Sequence, residues 1–228
     1  MHYSFDLWQT IIRSNLQHRI VRAEYFYKNH NFSNNTIDEI LAAFRQTDRE
    51  VNFINERVGK NLDFDEIYTL ILLKLNKNEH HDKIRAMDFE QLHRDLTAIF
   101  FEYPPELYDE NTFDVLKKLK NEGFTLNILS NTGLIQGKNL KILLDNTGVG
   151  TFFDFCLFSD DVRLSKPNPA FFEMVLTNAR TLHPNIAPHQ IIHVGDNPIA
   201  DYEGAKAVGF TPVLINSNDK TIVNLALD

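Results

Sequence analysis

Apolar positions along this chain follow two rhythms. Tyr3, Phe5 and Leu7 alternate with Ser4 and Asp6 and then give way to a polar stretch, which predicts a short buried strand whose end presents a carboxylate. From there to about residue 102 the spacing is helical. Thr36 and Glu39 stand three apart ahead of Ile37, Ile40, Leu41 and Phe44, so the threonine oxygen can take a free amide while the glutamate reaches back. Asp63 with Glu66 and Asp88 with Gln91 give similar starts ahead of Ile67, Leu70, Ile71 and of Leu92, Leu96, Ile99, predicting a helix bundle. Tyr103-Pro104-Pro105 ends it, because proline removes amide donors and disfavours helix in the residue before it.

From Thr112 the pattern becomes an alternation of helix and strand. Val115, Leu116 and Leu119 form a stripe that Gly123 closes, and strands are expected at 124–129, 153–158, 190–194 and 211–215. Helices are expected from Pro169 and from Pro198, since proline suits the first helical position. Such alternation predicts an α/β fold with a mainly parallel sheet covered by helices. Ligands of such sheets bind beyond the carboxyl ends of the strands. Asp6, Ser130 and Asp196 fall at or just past such ends, and Lys166 lies in a strand-to-helix loop.

Composition narrows the partners. A chain of 228 residues with 43% hydrophobic content can form one sizeable domain or a core with an insert. The net charge of -8 opposes loose binding to nucleic acid or anionic lipid, so a small ligand is the expected partner. Cys156, the single cysteine, has no intramolecular disulfide partner and sits where a buried strand would place a small apolar side chain. No apolar run approaches the about 20 residues of a membrane span, and no signal peptide is recognisable, so a soluble cytoplasmic protein is expected.

Four segments carry the chemistry: Tyr3-Ser4-Phe5-Asp6-Leu7-Trp8-Gln9-Thr10, Ile128-Leu129-Ser130-Asn131-Thr132-Gly133, Ser165-Lys166-Pro167-Asn168-Pro169, and the run from His193 to Asp201 that contains Gly195-Asp196. In this order they resemble the four motifs of the haloacid dehalogenase-like (HAD) superfamily. The resemblance covers the N-terminal strand and everything from about residue 103. It implies a Rossmann-like core from 1–13 and 103–228, with a helical-bundle cap domain of 14–102 inserted after the first motif.

The activity it implies is that of a Mg²⁺-dependent phosphatase acting on a small phosphorylated metabolite. Asp6 would attack phosphorus to form an aspartyl phosphate, splitting hydrolysis into two displacements. Thr10, Ser130 and the amide of Asn131 would bind the phosphoryl oxygens, and Lys166 would set a positive charge against both carboxylate and phosphate. Asp6, Asp196 and Asp201 would repel one another if gathered, and a hard divalent cation relieves that repulsion. The resemblance adds the backbone carbonyl of Trp8 as a metal ligand. Asp201 has a plainer reading as an early-helix acid favoured by the dipole.

Two departures stand in the first motif. Trp8 replaces the family's second aspartate, which protonates the leaving oxygen and later activates water, whereas an indole only donates a hydrogen bond. Positioned acid–base help contributes about 100- to 10,000-fold, or roughly 3 to 5 kcal/mol of barrier. Gln9 stands where the family mostly has glycine. Arg13, just beyond, suits either an anionic substrate or a solvated hinge. Two rival functions follow: a phospho-ligand-binding or regulatory module with little turnover, and a 2-haloacid dehalogenase, against which Asp196 argues because that branch lacks an acid there. His80-His81 reads as a solvated loop, and His193 as a strand residue that packs or hydrogen-bonds there rather than acting as a catalyst.

Overall fold

The protein was built as a computed structural model in which residues 1–226 are described. Leu227 and Asp228, the last two positions of the expected core, lie outside the described residues. Seven strands occur in chain order: β1 (His2–Phe5), β2 (Ile12–Arg13), β3 (Glu106–Leu107), β4 (Thr125–Ser130), β5 (Phe155–Phe158), β6 (Ile191–Gly195) and β7 (Thr211–Leu214). Between β2 and β3 run α1 (Leu16–Asn29), α2 (Ile37–Val58), α3 (Phe64–Leu75), α4 (His81–Arg85) and α5 (Phe89–Glu102). After β3 come α6 (Thr112–Asn121), α7 (Gly137–Asn146), α8 (Ser159–Val162), α9 (Pro169–Leu182) and α10 (Gly204–Ala207).

β1, β4, β5, β6 and β7 form one sheet in the order β5-β4-β1-β6-β7, with every neighbouring pair parallel. β1 is central and wholly buried, as its apolar residues and helix-covered faces require. Its Phe5 packs with Leu116, Leu126, Ile128, Leu140 and Val194 in one core cluster. A second cluster on the other side of β4 and β6 gathers Leu129, Phe171, Phe172 and Val175 under α9.

Helices α1–α5 close a third cluster of their own, centred on Phe26, Phe44, Tyr68, Ile71 and Leu92. The chain passes from sheet to helices and back through β2 and β3, which pair antiparallel as Ile12↔Leu107 and Arg13↔Glu106.

The expected helix starts are observed. Thr36 caps α2 with both halves of the capping box formed, Asp63 does the same for α3, and the Asp88 carboxylate caps α5 through the Gln91 amide. These signals are local, so a short window of sequence contains the whole interaction. α5 ends at Glu102, directly ahead of Tyr103 and the two prolines.

Two expectations shift. The first strand ends at Phe5 rather than Leu7, because the carbonyl of Leu7 turns to accept the amides of Ile11 and Ile12, both at 2.9 Å, and so leaves the ladder. From Pro198 the chain winds as a wide π turn through Glu203 before α10 begins, with Asn197 capping it through the amides of Ile199 and Ala200. Cys156 is half-buried on β5, and burial pushes its thiol up to about 11, so it stays protonated at neutral pH. Among the described residues no helix is long and apolar enough to cross a membrane.

His2 joins sheet stability to pH. Its fully buried ring places Nε2–H on Asn127 Oδ1 at 2.7 Å and accepts the Thr125 hydroxyl at Nδ1 at 2.8 Å. Burial pulls its pKa from 6.5 to about 4, so the fold holds the neutral ring. The unfolded chain binds the proton first, and this contribution is intact above pH 6.5 and lost as pH falls to about 4. It amounts to on the order of 3 kcal/mol. His2→Gln is expected to flatten the fall in urea-unfolding free energy between pH 7 and 4.5. An unchanged slope would show that His2 carries none of it.

Candidate active site

The sheet delivers Asp6, Ser130 and Asp196 to one edge because β1, β4 and β6 run side by side in the same direction. Asp6 follows the last residue of β1 and remains tied to β6 by its amide, which donates to Val194 O at 2.8 Å. Lys166 arrives from the loop before α9. Its Nζ lies 2.7 Å from Asp6 Oδ1 and 2.7 Å from Asp201 Oδ1, and only 1% of the residue is exposed. Lys166 is steered by Asn131, whose side chain accepts the Lys166 amide at 2.7 Å and donates to the Lys166 carbonyl at 3.0 Å.

Asp201 is held by three donors. Besides Lys166, His193 Nε2 lies 3.2 Å from its Oδ1, and the Asn197 amide donates to its Oδ2 at 2.9 Å. Burial alone would raise its pKa, but Lys166 and His193 outweigh burial and hold it below the usual carboxylate range. Gly195 is the residue that admits this carboxylate, since a Cβ there would sit 2.2 Å from the Asp201 side chain. His193 is thus a positioning residue, hydrogen-bonded within the strand as its place in the sequence allowed. Its Nδ1 contacts the Ser4 hydroxyl at 3.1 Å across the β1–β6 pair.

Asp6 and Asp196 are pushed the other way. Burial, then Asp201 and Asp196, raise Asp6 to about 7 against the pull of Lys166, and burial with Asp201 raises Asp196 to about 6. One ammonium therefore faces three carboxylates whose oxygens lie within 4.8 Å of one another. That donor set, all oxygen and under-neutralised, fits a hard divalent cation of the Mg²⁺ kind.

These groups open onto a cleft of about 560 Å³ between the sheet edge and α1–α2, whose wall includes Asp6, Trp8, Asn131, Lys166, Asp196 and Asp201. Ser130 and Thr10 are fully buried behind that wall. The Ser130 hydroxyl donates to Asn131 O at 3.2 Å, while Thr10 Oγ1 has no hydrogen-bond partner. The Trp8 ring packs on the main core cluster and is also part of the cleft wall. Gln9 takes φ 58°, the left-handed conformation natural to glycine, with its amide on Ile12 O at 2.7 Å and its carbonyl accepting Asn216 Nδ2 at 2.8 Å. Arg13 is exposed and pairs with Glu106 at 3.3 Å, where β2 meets β3.

Several contacts of the site give no sequence signal. Asn197 crosses the cleft to Glu56 of α2 at 2.7 Å. Asn61 accepts the hydroxyls of Ser159 and Ser165 at 2.7 and 3.2 Å, and Asn168 donates to Gly59 O at 2.8 Å. Asn168 and Asn197 stand within the four segments, but their partners in and just after α2 do not, and only the fold brings these together.

Residues 2–209 match a family model described as haloacid dehalogenase-like hydrolase. The haloacid dehalogenase-like hydrolase domain-containing protein 3 of Homo sapiens is 33% identical over 102 residues, 45% of this chain and 37% of that protein. A glyceraldehyde 3-phosphate phosphatase of Methanothermobacter thermautotrophicus is 33% identical over 107 residues, 47% of this chain and 44% of that one. The matched segments thus span less than half the length of either relative. Among solved structures, the magnesium-bound HAD-hydrolase YfnB of Bacillus subtilis aligns with TM-score 0.71 and 20% identity over 96% of this chain and 90% of its own, a likeness of fold.

Removing the shared ammonium tests the electrostatics. Lys166→Met leaves buried carboxylates uncompensated and is expected to cost about 3–5 kcal/mol of unfolding free energy at pH 7. The stranded carboxyls bind protons more readily than in the unfolded chain, so the deficit should shrink as pH falls from 7 to 5. Urea titrations of both proteins across that range check this. A deficit independent of pH would mean that packing, not charge, is what Lys166 supplies.

Proposed function

The chain belongs to the haloacid dehalogenase-like hydrolase family, and from that premise we propose that it is a Mg²⁺-dependent phosphatase of small phosphorylated metabolites. The observation that carries the reading is the buried Asp6–Lys166–Asp201 arrangement at the mouth of a ligand-sized cleft. The phosphatase activity of the Methanothermobacter relative supports it. So does the magnesium bound by the YfnB neighbour.

Lys166 occupies Asp6 Oδ1 and favours the ionised carboxylate, which leaves the second oxygen for attack. That oxygen bonds to phosphorus as the bond from phosphorus to the leaving oxygen breaks. Water then attacks the aspartyl phosphate, releasing orthophosphate and restoring Asp6. Asp6, Asp196, Asp201 and the Trp8 carbonyl would hold Mg²⁺, which supplies charge neutralisation for the phosphoryl oxygens when bound. Lys166 offsets developing charge, with Asn131 fixing its backbone. Asn131, on the cleft wall, with Ser130 and Thr10 buried behind it, is the proposed phosphate-binding set. We assign helices α1–α5 the role of a cap over the cleft, whose closure excludes water.

Trp8 is the weak link, because an indole at that position cannot protonate the leaving oxygen. Turnover should therefore favour activated aryl esters, whose leaving groups depart without a proton. A binding module with little turnover is the second reading, favoured by the same Trp8 in the cleft wall.

Phosphate release from p-nitrophenyl phosphate with Mg²⁺ is expected, lost on chelation and falling at least about 1,000-fold in Asp6→Asn. Retained turnover in that variant would remove Asp6 from the mechanism, and inactivity of the unmodified protein would select the binding module. Trp8→Asp should raise release from alkyl phosphates by about 10- to 100-fold, a fraction of the usual acid–base contribution. Trp8→Asn, equal in size but unable to transfer a proton, should give no such gain. Equal gains in both variants would mean that the indole obstructs the cleft.

A further inference from the structure

Four arginines line the cleft from the helical side: Arg19 and Arg22 of α1, Arg45 and Arg49 of α2. None of the four makes an ion pair among the described residues, although arginines elsewhere, such as Arg13 and Arg94, do. The acids on the same wall are Asp48 and Glu56, and Glu56 already accepts a hydrogen bond from Asn197. A chain of net charge -8 thus turns a positive face to its own site. His18 beside them registers that field: burial first, then Arg22 and Arg19, hold its pKa at about 3.

Arg22 is the built part of this face. It is only 8% exposed, and its guanidinium lies 4.3 Å above the Phe44 ring, close enough to Tyr68 to act on it electrostatically. The Tyr68 hydroxyl in turn donates to Leu134 O at 3.3 Å. Stacking on Phe44 fixes the plane of the group, yet its Nε–H has no hydrogen-bond partner among the described residues. A buried charged donor left unsatisfied is unfavourable and is met by water or by an acceptor from a ligand. The flat fork of a guanidinium matches the paired oxygens of carboxylate or phosphate.

We propose that this arginine face, centred on Arg22, binds a second anionic group of the substrate, a carboxylate or a second phosphate, so that preferred substrates carry two anions. The proposal rests on the phosphatase reading for the first. The reacting phosphate meets Lys166 and the carboxylate cluster, while the remote anion meets the arginines and fixes which end of the molecule reaches Asp6. Binding energy from the non-reacting end then serves orientation at the reacting one.

Calorimetric titration of full-length Asp6→Asn in Mg²⁺ separates this from the hydrolysis question, which is read by phosphate release from the unmodified chain. Two ligand pairs differ by one anion: glycerol 3-phosphate with 3-phosphoglycerate, and fructose 6-phosphate with fructose 1,6-bisphosphate. The dianionic member of at least one pair is expected to bind about tenfold tighter or more, the pair identifying which anion is read. Adding Arg22→Gln should bring that ratio to within about threefold. Should Arg22→Gln fail to fold, Arg45→Gln with Arg49→Gln, both at exposed positions, should reduce the same ratio. Equal affinities within both pairs, no binding of any of the four, or proportionate losses for both members of a pair would overturn the proposal.

Discussion

Everything in the site depends on one buried ammonium serving two carboxylates. Lys166 reaches Asp6 and Asp201 at 2.7 Å each in a setting with almost no solvent, where every unpaired charge is expensive. The pairing is asymmetric in its effect. Asp201, with three donors on it, is locked into its charged form, whereas Asp6 has one donor and two acidic neighbours and is pushed toward neutrality. Under the proposed mechanism, the carboxylate that would react is therefore the one whose charge is least secured by the protein. A divalent cation among Asp6, Asp196 and Asp201 would supply what Lys166 leaves uncovered.

That arrangement ties the helices to the chemistry. Gly59, at the C-terminus of α2, takes φ 70° and lets its carbonyl accept both Asn168 Nδ2 at 2.8 Å and the Ser165 amide at 3.3 Å. A Cβ at Gly59 would lie 3.0 Å from that same Asn168 nitrogen, so the close approach needs glycine for space as well as for conformation. Ser165 and Asn168 flank Lys166 and Pro167. The end of α2 is thus fastened to the loop that carries the ammonium, and Glu56 one turn earlier is fastened to Asn197 beside Asp196. Any movement of α2 must break or drag contacts that border the reacting groups, which links the arginine-bearing face of α2 to the sheet edge by a short, polar path.

The sequence made legible what is local and what repeats. Capping boxes at Thr36 and Asp63 lie within four residues, so their geometry is written in one turn of helix, and the β/α alternation after Thr112 follows from periodicity alone. The four chemical segments were identifiable because each is contiguous. What escaped depends on distant partners. His193 was readable as a packing or hydrogen-bonding strand residue, but its partner was not, because nothing in β6 announces that Asp201 will fold back onto it. Arg13, adjacent to the first motif, drew attention and is bound to Glu106, while Arg22, nine residues on, lies in the cleft. A helical wheel shows which face an arginine occupies, but which wall that face meets is decided by tertiary packing.

The two departures in the first motif are of different kinds. Gln9 retains the left-handed backbone that glycine would adopt, at a cost of about 1–2 kcal/mol for a residue with a Cβ. Its amide on Ile12 and its carbonyl on Asn216 hold the turn there. The left-handed path of the main chain at this turn survives the change of residue. Trp8 preserves nothing comparable, since the proton-carrying function of a carboxyl has no counterpart in an indole. In the proposed mechanism, attack by Asp6 would need only geometry and charge, whereas departure of a poor leaving group would need a proton. On that reading the departures fall on the proton-transfer half of the chemistry rather than the covalent half. If the chain turns over, the basicity of the leaving oxygen should govern its rate more than any feature of the phosphate-binding end.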